Sequence, residues 1–293
     1  VESKFDRNYV LKVQRTDDPA LSIEIKRPFT IDFEIQRNYL SSGCNSTITI
    51  YNLSESTRAQ IRKDQQEYAL FKAVSLAAGY GKDLSTLFIG QVDEAASIRN
   101  NVDFSTTIQA HDTGQTPQLA DVSVSYKAGT SNRSIILDLI DKLKPYGIQP
   151  GAIGDVQGKI TKGAAYSGNA IDILRDLTGG SFFIDAGRAN VIFNNEFIEG
   201  GEFLINAESG LLGTPVQQGF KTTLNMLLEP KLFIGRRVRV EVESELNFNG
   251  SYRVIALKHK AIISDAVNGP AITSLELEKI SPSWRSVKFE AFR

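Results

Sequence analysis

Residues 29–36 read Phe29-Thr30-Ile31-Asp32-Phe33-Glu34-Ile35-Gln36. An extended chain sends Phe29, Ile31, Phe33 and Ile35 to one side and Thr30, Asp32, Glu34 and Gln36 to the other. A helix would scatter the same apolar set around its circumference, so the stretch is a β-strand with one buried face. Just upstream, Leu21 to Lys26 repeats the alternation with Leu21, Ile23 and Ile25 inward, and Pro28, which lacks a backbone donor, marks a corner between the two. The same reading extends to Tyr9–Gln14, Ser46–Tyr51, Val74–Tyr80, Leu87–Ile98 and Val102–Ala110. Short antiparallel strands in such succession build a barrel or a sandwich. One helix interrupts them, opening at Ser54, whose hydroxyl can accept from the first free N–H groups, and running to about Asp64.

The pattern changes after Pro117. Ser131 to Lys144 places Ile135, Ile136, Leu139, Ile140 and Leu143 on one helical face, with Gly147 and Pro150 as stop signals. A second helix is expected over Asn169–Thr178, with Gly179 in the left-handed cap position. A hairpin follows, Phe182–Asp185 and Asn190–Phe193 around Ala186-Gly187-Arg188. From Glu202 the β alternation returns, clearest in Arg237–Glu243, with Val238, Val240 and Val242 inward, then in Ser251–Lys260 and Ala271–Lys279 across a Gly269-Pro270 turn. The expected fold class is therefore mainly β with an α+β insertion, divided into residues 1–116, 117–202 and 203–293.

The last β region repeats the plan of the first. Val74–Ala78, Phe88-Ile89-Gly90, a long strand and a further strand correspond in order to Val238–Val242, Phe248-Asn249-Gly250, a long strand and a further strand. In both copies a Phe-x-Gly turn is expected to precede the long strand.

Composition narrows the function. At 293 residues the chain has room for two or three ordinary domains. Lys and Arg number 33 against 34 Asp and Glu, an even balance that argues against a nucleic-acid binder relying on excess positive charge. With Cys44 as the single cysteine, no intrachain disulfide can form and the chain can mature in a reducing cytoplasm. The stretch at residues 1–10 has no apolar signal-peptide core, and no run approaches the ~18 apolar residues of a membrane span. No membrane insertion by this chain is expected.

Catalytic constellations fail one by one. Ser209 lacks both glycines of a nucleophile elbow, and Gly154-Asp155-Val156-Gln157-Gly158-Lys159 is one residue short of a phosphate loop, with Ile160 where Ser or Thr belongs. His111 and His259, the two histidines, cannot make a zinc site with one cysteine and read as structural. Asp93 and Glu94 are neighbours on a strand, so they face opposite sides unless a bulge intervenes. Glu241, Glu243 and Glu245 read as a solvated face. No catalytic, cofactor-binding or metal-binding residue is expected, and no cofactor.

These residues resemble the baseplate hub proteins of contractile-tailed phages and related tail-like injection machines. Ile48-Thr49-Ile50-Tyr51-Asn52-Leu53-Ser54, a strand ending in Asn-Leu before a capped helix, looks like the N-terminal tube-like barrel of that family. Gly210–Pro215, Leu227–Pro230, Gly235, Val238 and Asn249–Val254 with His259 look like its C-terminal barrel. The positions carrying the resemblance are Ile48, Ile50, Asn52, Leu53, Ser54, Gly90, Gly250 and Tyr252. The resemblance implies two tail-tube-like antiparallel β-barrels flanking a small helical middle domain. It also implies a homotrimeric ring that adapts a sixfold tail tube, or its distal ring protein, to a trimeric spike protein. Baseplate wedge proteins would surround it and DNA would meet it only in transit through the lumen. Its place would be the virion tail baseplate, after assembly in the host cytoplasm. No stretch is left over for the lysozyme domain that some hubs carry. The alternatives are a carbohydrate-binding or cell-wall-cleaving tail protein, or a tail-tube terminator or adaptor.

Overall fold

The computed structural model describes residues 5–15, 22–39, 44–64, 72–112 and 120–290. The first part holds β1 (Arg7–Arg15), β2 (Ser22–Lys26), β3 (Ile31–Asn38), β4 (Asn45–Tyr51), α1 (Glu55–Ile61), β5 (Lys72–Tyr80), β6 (Asp83–Asn100) and β7 (Asp103–His111). The middle holds β8 (Asp121–Tyr126), α2 (Asn132–Asp141), β9 (Gln149–Ile153), β10 (Ala164–Asn169), α3 (Ala170–Leu177), β11 (Phe182–Asp185) and β12 (Arg188–Val191). Then come β13 (Glu196–Ile205), β14 (Leu211–Gln218), β15 (Lys221–Leu227), β16 (Arg236–Val240), β17 (Gly250–Ile263), β18 (Ala271–Lys279) and β19 (Arg285–Val287).

The mainly β class holds, with α-helices confined to α1 and the middle region among the described residues and a 3-10 turn at Leu246–Phe248. The two β regions are joined in one 14-stranded sheet whose main path runs β14-β15-β18-β17-β3-β4-β7-β6-β5-β1-β2, with β16, β13 and β19 branching from β17. β17 makes the join. Gly250–Arg253 pair with β16, a bulge falls between Val254 and Ala256, and Ala256–Ile263 pair with β3 from Asn38 to Ile31. Two separately closed barrels are thus not what the hydrogen bonds draw. Neither end of the path, β2 or β14, pairs with the other, and no barrel closes among the described residues. Period-two patterning reports which side chains are buried and says nothing about which strand edges bond.

Three apolar cores follow. The first gathers Tyr9, Leu11, Phe33, Ile48, Ile50, Leu76 and Phe88, and takes in Leu228, Ala261, Ile263 and Ala271 from far along the chain. The second lies under Ile205, Val238, Val240, Tyr252, Val254 and Leu277, with Ala152, Phe183 and Ile192 reaching in from the middle region. The third packs α2 and α3 on β9, β11 and β12 through Ile135, Leu139, Ile171, Leu174 and Val191. Each fully buried aliphatic side chain contributes ~1.5–3 kcal/mol over its exposed state.

Side-chain caps open both α-helices of the middle region. Ser131 Oγ accepts from Ser134 N at 3.1 Å, Asn169 Oδ1 from Ile171 N at 3.0 Å, and Gly179 takes φ 59° after α3. Ala186 (φ 49°) and Gly187 (φ 72°) turn the expected hairpin. α1 stops at Ile61, short of Asp64, because Lys63 leaves the helix to exchange backbone hydrogen bonds with Ala95 of β6. Strand β3 starts at Ile31 because Lys26 and Phe29 close a turn, which leaves Phe29 exposed. The β6–β7 turn takes in Val102. Leu21 and Pro117 lie outside the described residues.

The meanders β5-β6-β7 and β16-β17-β18 share one antiparallel order. One detail of the repeat is corrected. Gly250 (φ 149°) opens β17 as expected, but Gly90 is inside β6, paired with Val74, and precedes no strand. A Cβ there would meet the His111 carbonyl oxygen at 2.4 Å, so close strand approach, not a turn, requires glycine.

Candidate functional site

The motif Ile48–Ser54 forms a fastened corner. Ile48 and Ile50 are buried in the first core. Asn52, with φ 58°, binds β7 three times: its N–H donates to Phe104 O at 2.8 Å, its Oδ1 accepts from Phe104 N at 2.9 Å, and its Nδ2 donates to Asp103 Oδ1 at 3.0 Å. Leu53 is buried, and Ser54 Oγ caps α1 by accepting from Thr57 N at 3.2 Å. Gly90 packs against the His111 carbonyl between β6 and β7, whereas Tyr252, whose hydroxyl donates to Phe248 O at 2.8 Å, is buried in the second core and Gly250 opens the same strand. The eight positions therefore do not converge on one site.

What does converge is a polar belt between the first two cores. Ile35 pairs with both Ser46 and His259, His259 with Thr273, and Ser46 with Ala110, so these side chains share the inner face of the sheet. Two residues along from them, Arg37, Cys44 and Asp112 fall on that face too. All six polar members are buried. Arg37 Nη1 reaches Asp185 Oδ1 of β11 at 3.2 Å, and Asp185 Oδ2 accepts from Ile234 N at 3.2 Å. Asp112 Oδ1 accepts from Cys44 N at 2.7 Å. Thr273 Oγ1 accepts from Glu229 N at 2.9 Å and shares a hydrogen bond with His259 Nδ1, also at 2.9 Å. Arg37 Nε and Nη2, His259 Nε2 and Ser46 Oγ have no hydrogen-bond partner among the described residues.

Electrostatics follow from burial. His259 loses its water shell and faces the Arg37 charge, which together lower its pKa to about 3 and keep it neutral. Burial opposes the charge on Arg37, yet Asp185, with Cys44 and Asp112, more than offsets this and holds its pKa above the ordinary value. Burial pushes the Cys44 thiol up, so it stays protonated and weakly nucleophilic. The belt is suited to joining segments, not to acid–base work.

A second joint lies at Arg253. Its guanidinium donates to Phe193 O and Glu196 O, both at 2.8 Å, and to Glu278 Oε2 at 2.6 Å, and it lies over the rings of Tyr39 and Trp284. The single tryptophan is thereby engaged within the fold. The phosphate-loop near miss resolves likewise: Glu196 accepts from Asp155 N at 2.8 Å, and a Cβ on Gly154 would strike its carboxylate at 2.0 Å. Asp93 is the extra residue of a bulge between Val92 and Glu94, and it is bonded to His111 Nδ1. The bulge that would disturb the Asp93/Glu94 alternation is thus present, and it turns Asp93 toward a histidine on β7. Sequence reading missed the belt: Arg37 follows the alternating run by one residue, and nothing in its spacing pairs it with Asp185.

The sheet, its repeated meander and the inserted helical region define a tail-protein fold. It is similar to the 43 kDa tail protein of prophage MuSo2 from Shewanella oneidensis (TM-score 0.60, 9% identity, covering 92% of this chain and 96% of that one). It is also similar to the E. coli c3393 protein, a type VI secretion component described as similar to phage T4 gp27 and gp5 (TM-score 0.57, 9% identity, 93% and 78% covered). A third likeness is to a Francisella PdpA–VgrG complex (TM-score 0.56, 9% identity, 100% of this chain and 61% of that one). No curated protein matches in sequence. The family model for baseplate hub gp41 matches residues 10–266, and the chain belongs to that family. It is a structural protein of the phage tail baseplate.

Proposed function

We propose that the chain is a ring-forming hub: a homotrimer that adapts a sixfold tail tube, or the distal ring of that tube, to a trimeric spike. The observation that carries this reading is the repeated meander, β5-β6-β7 and β16-β17-β18, within one sheet. Two similar faces per chain, multiplied by a threefold axis, present six similar faces to a tube and keep true threefold symmetry for a spike. In this reading residues 1–116 and 203–293 are the tube-like units and 117–202 the inserted one. The corner residues Ile48, Ile50, Asn52, Leu53 and Ser54, with Gly90, Gly250 and Tyr252, keep those units in shape. The solved relatives include a chain from a complex with VgrG, which supports a spike-type partner. The hub itself is non-catalytic, surrounded by wedge proteins, with DNA only passing through its lumen; it assembles in the host cytoplasm.

Mass measurement in solution with the spike partner present tests the ring. Three chains per complex, and a ring in particle images, are expected. A stable one-to-one complex, or six copies in one ring, overturns the adaptor.

A further inference from the structure

The chain ends its described course by crossing back over the middle region. Arg285–Val287 pair in parallel with Glu196–Ile198 of β13, Arg285 N donates to Asn195 O at 2.9 Å, and Glu290 N donates to Gly151 O at 3.0 Å. Ion pairs fix both ends to the middle region: Arg285 to Asp155 at 2.6 Å, and Glu290 to Arg133. Between them Val287 is buried, and Phe289 lies with its ring centroid 5.9 Å from that of Phe233. Just before the segment, Trp284 lies 4.8 Å from the Arg253 guanidinium, on the joint that ties β17 to the middle region.

We propose that residues 284–290 are a detachable clasp that locks the middle region against β13 and releases as a unit while the sheet stays folded. The strength of its contacts argues for this. The β13–β19 ladder has three residue pairs, short beside the nine of β1–β5. Its ion pairs are at the surface, with side-chain exposures of 61% and 44% for Arg285–Asp155 and 38% and 34% for Arg133–Glu290. Such pairs are weak and are screened by salt. Val287 is the one buried apolar anchor of residues 285–290. The segment also borders an open surface groove with Arg133, Gly154, Asp155 and Glu196, so much of its length faces solvent instead of packed protein. Elements with few buried contacts open locally well below the free energy of global unfolding.

Trp284 is the only tryptophan in the chain, so its fluorescence reads the clasp directly. The intact protein is titrated with potassium chloride to about 1 M, a range over which exposed pairs are screened. Trp284 emission and backbone circular dichroism are followed, with amide exchange at residues 151–156, 196–198 and 285–290. The expected result is a red shift in emission and at least tenfold faster exchange at those amides, with the dichroism and the exchange of β3 and β17 unchanged. Asp155→Asn combined with Arg133→Gln gives the same signature at low salt, and Phe289→Ser strengthens it. Emission that stays constant until the whole chain unfolds, or exchange at those amides only through global unfolding, overturns the clasp.

Discussion

Arg37 of β3 and Asp185 of β11 form an ion pair at 3.2 Å across 148 positions of chain, with side chains 5% and 8% exposed. Removing one partner leaves the other charge buried. Asp185→Ala is therefore expected to lower the unfolding free energy by about 3–5 kcal/mol, whereas Arg37→Met with Asp185→Leu costs less than either single change. Denaturant titration of the double-mutant cycle measures this, and additive losses would show that the two charges act independently.

Gly250 takes φ 149° where β17 begins, and an added Cβ would meet nothing nearer than Lys279 Cε at 3.5 Å. The strain of Gly250→Val is therefore in the backbone, about 1–3 kcal/mol. Gly90→Ala acts otherwise, by driving a methyl into the His111 carbonyl 2.4 Å away. Thermal melts of both variants should fall below wild type, and an unchanged melting temperature for either contradicts its backbone argument.

The two histidines oppose each other in acid. His259, with its folded pKa of about 3 below the unfolded ~6.5, contributes stability present above pH ~6.5 and lost as pH falls toward 3. His111, raised mainly by its hydrogen bond to Asp93, contributes stability present below pH ~6.5 and lost as pH rises through its folded pKa. Being half exposed, His111 has the smaller effect. Stability measured from pH 7 to 4 should drop in wild type and drop less in His259→Gln; equal slopes would mean that His259 is hydrated.

Purified chain should not clear cell-wall suspensions or cleave oligosaccharides. Clearing that a single Asp or Glu substitution abolishes would restore the cell-wall-cleaving alternative.

Much of the fold was legible because its signals are local. Alternation marked β3, β4, β16 and β18, the Ser54 cap marked the start of α1, and the apolar helical faces of residues 131–144 and 169–178 marked α2 and α3. β13 was illegible: Gly200-Gly201 breaks its alternation and its burial is one-sided only near the ends. β8 and β10 pair with each other alone, outside the large sheet, and carry no fully buried residue.

By itself the sequence determined which side chains are buried along β3 and β16, where α1 begins and that Gly187 turns the β11–β12 hairpin, because each depends on neighbours within a few positions. Only the tertiary structure decided that β17 abandons β16 at its bulge and continues along β3, which merges two expected barrels into one sheet. It alone brought Arg37 to Asp185 and His259 to Thr273. Backbone hydrogen bonds are chemically alike on every strand edge, so partner choice is made by packing of distant segments and leaves no mark on local spacing.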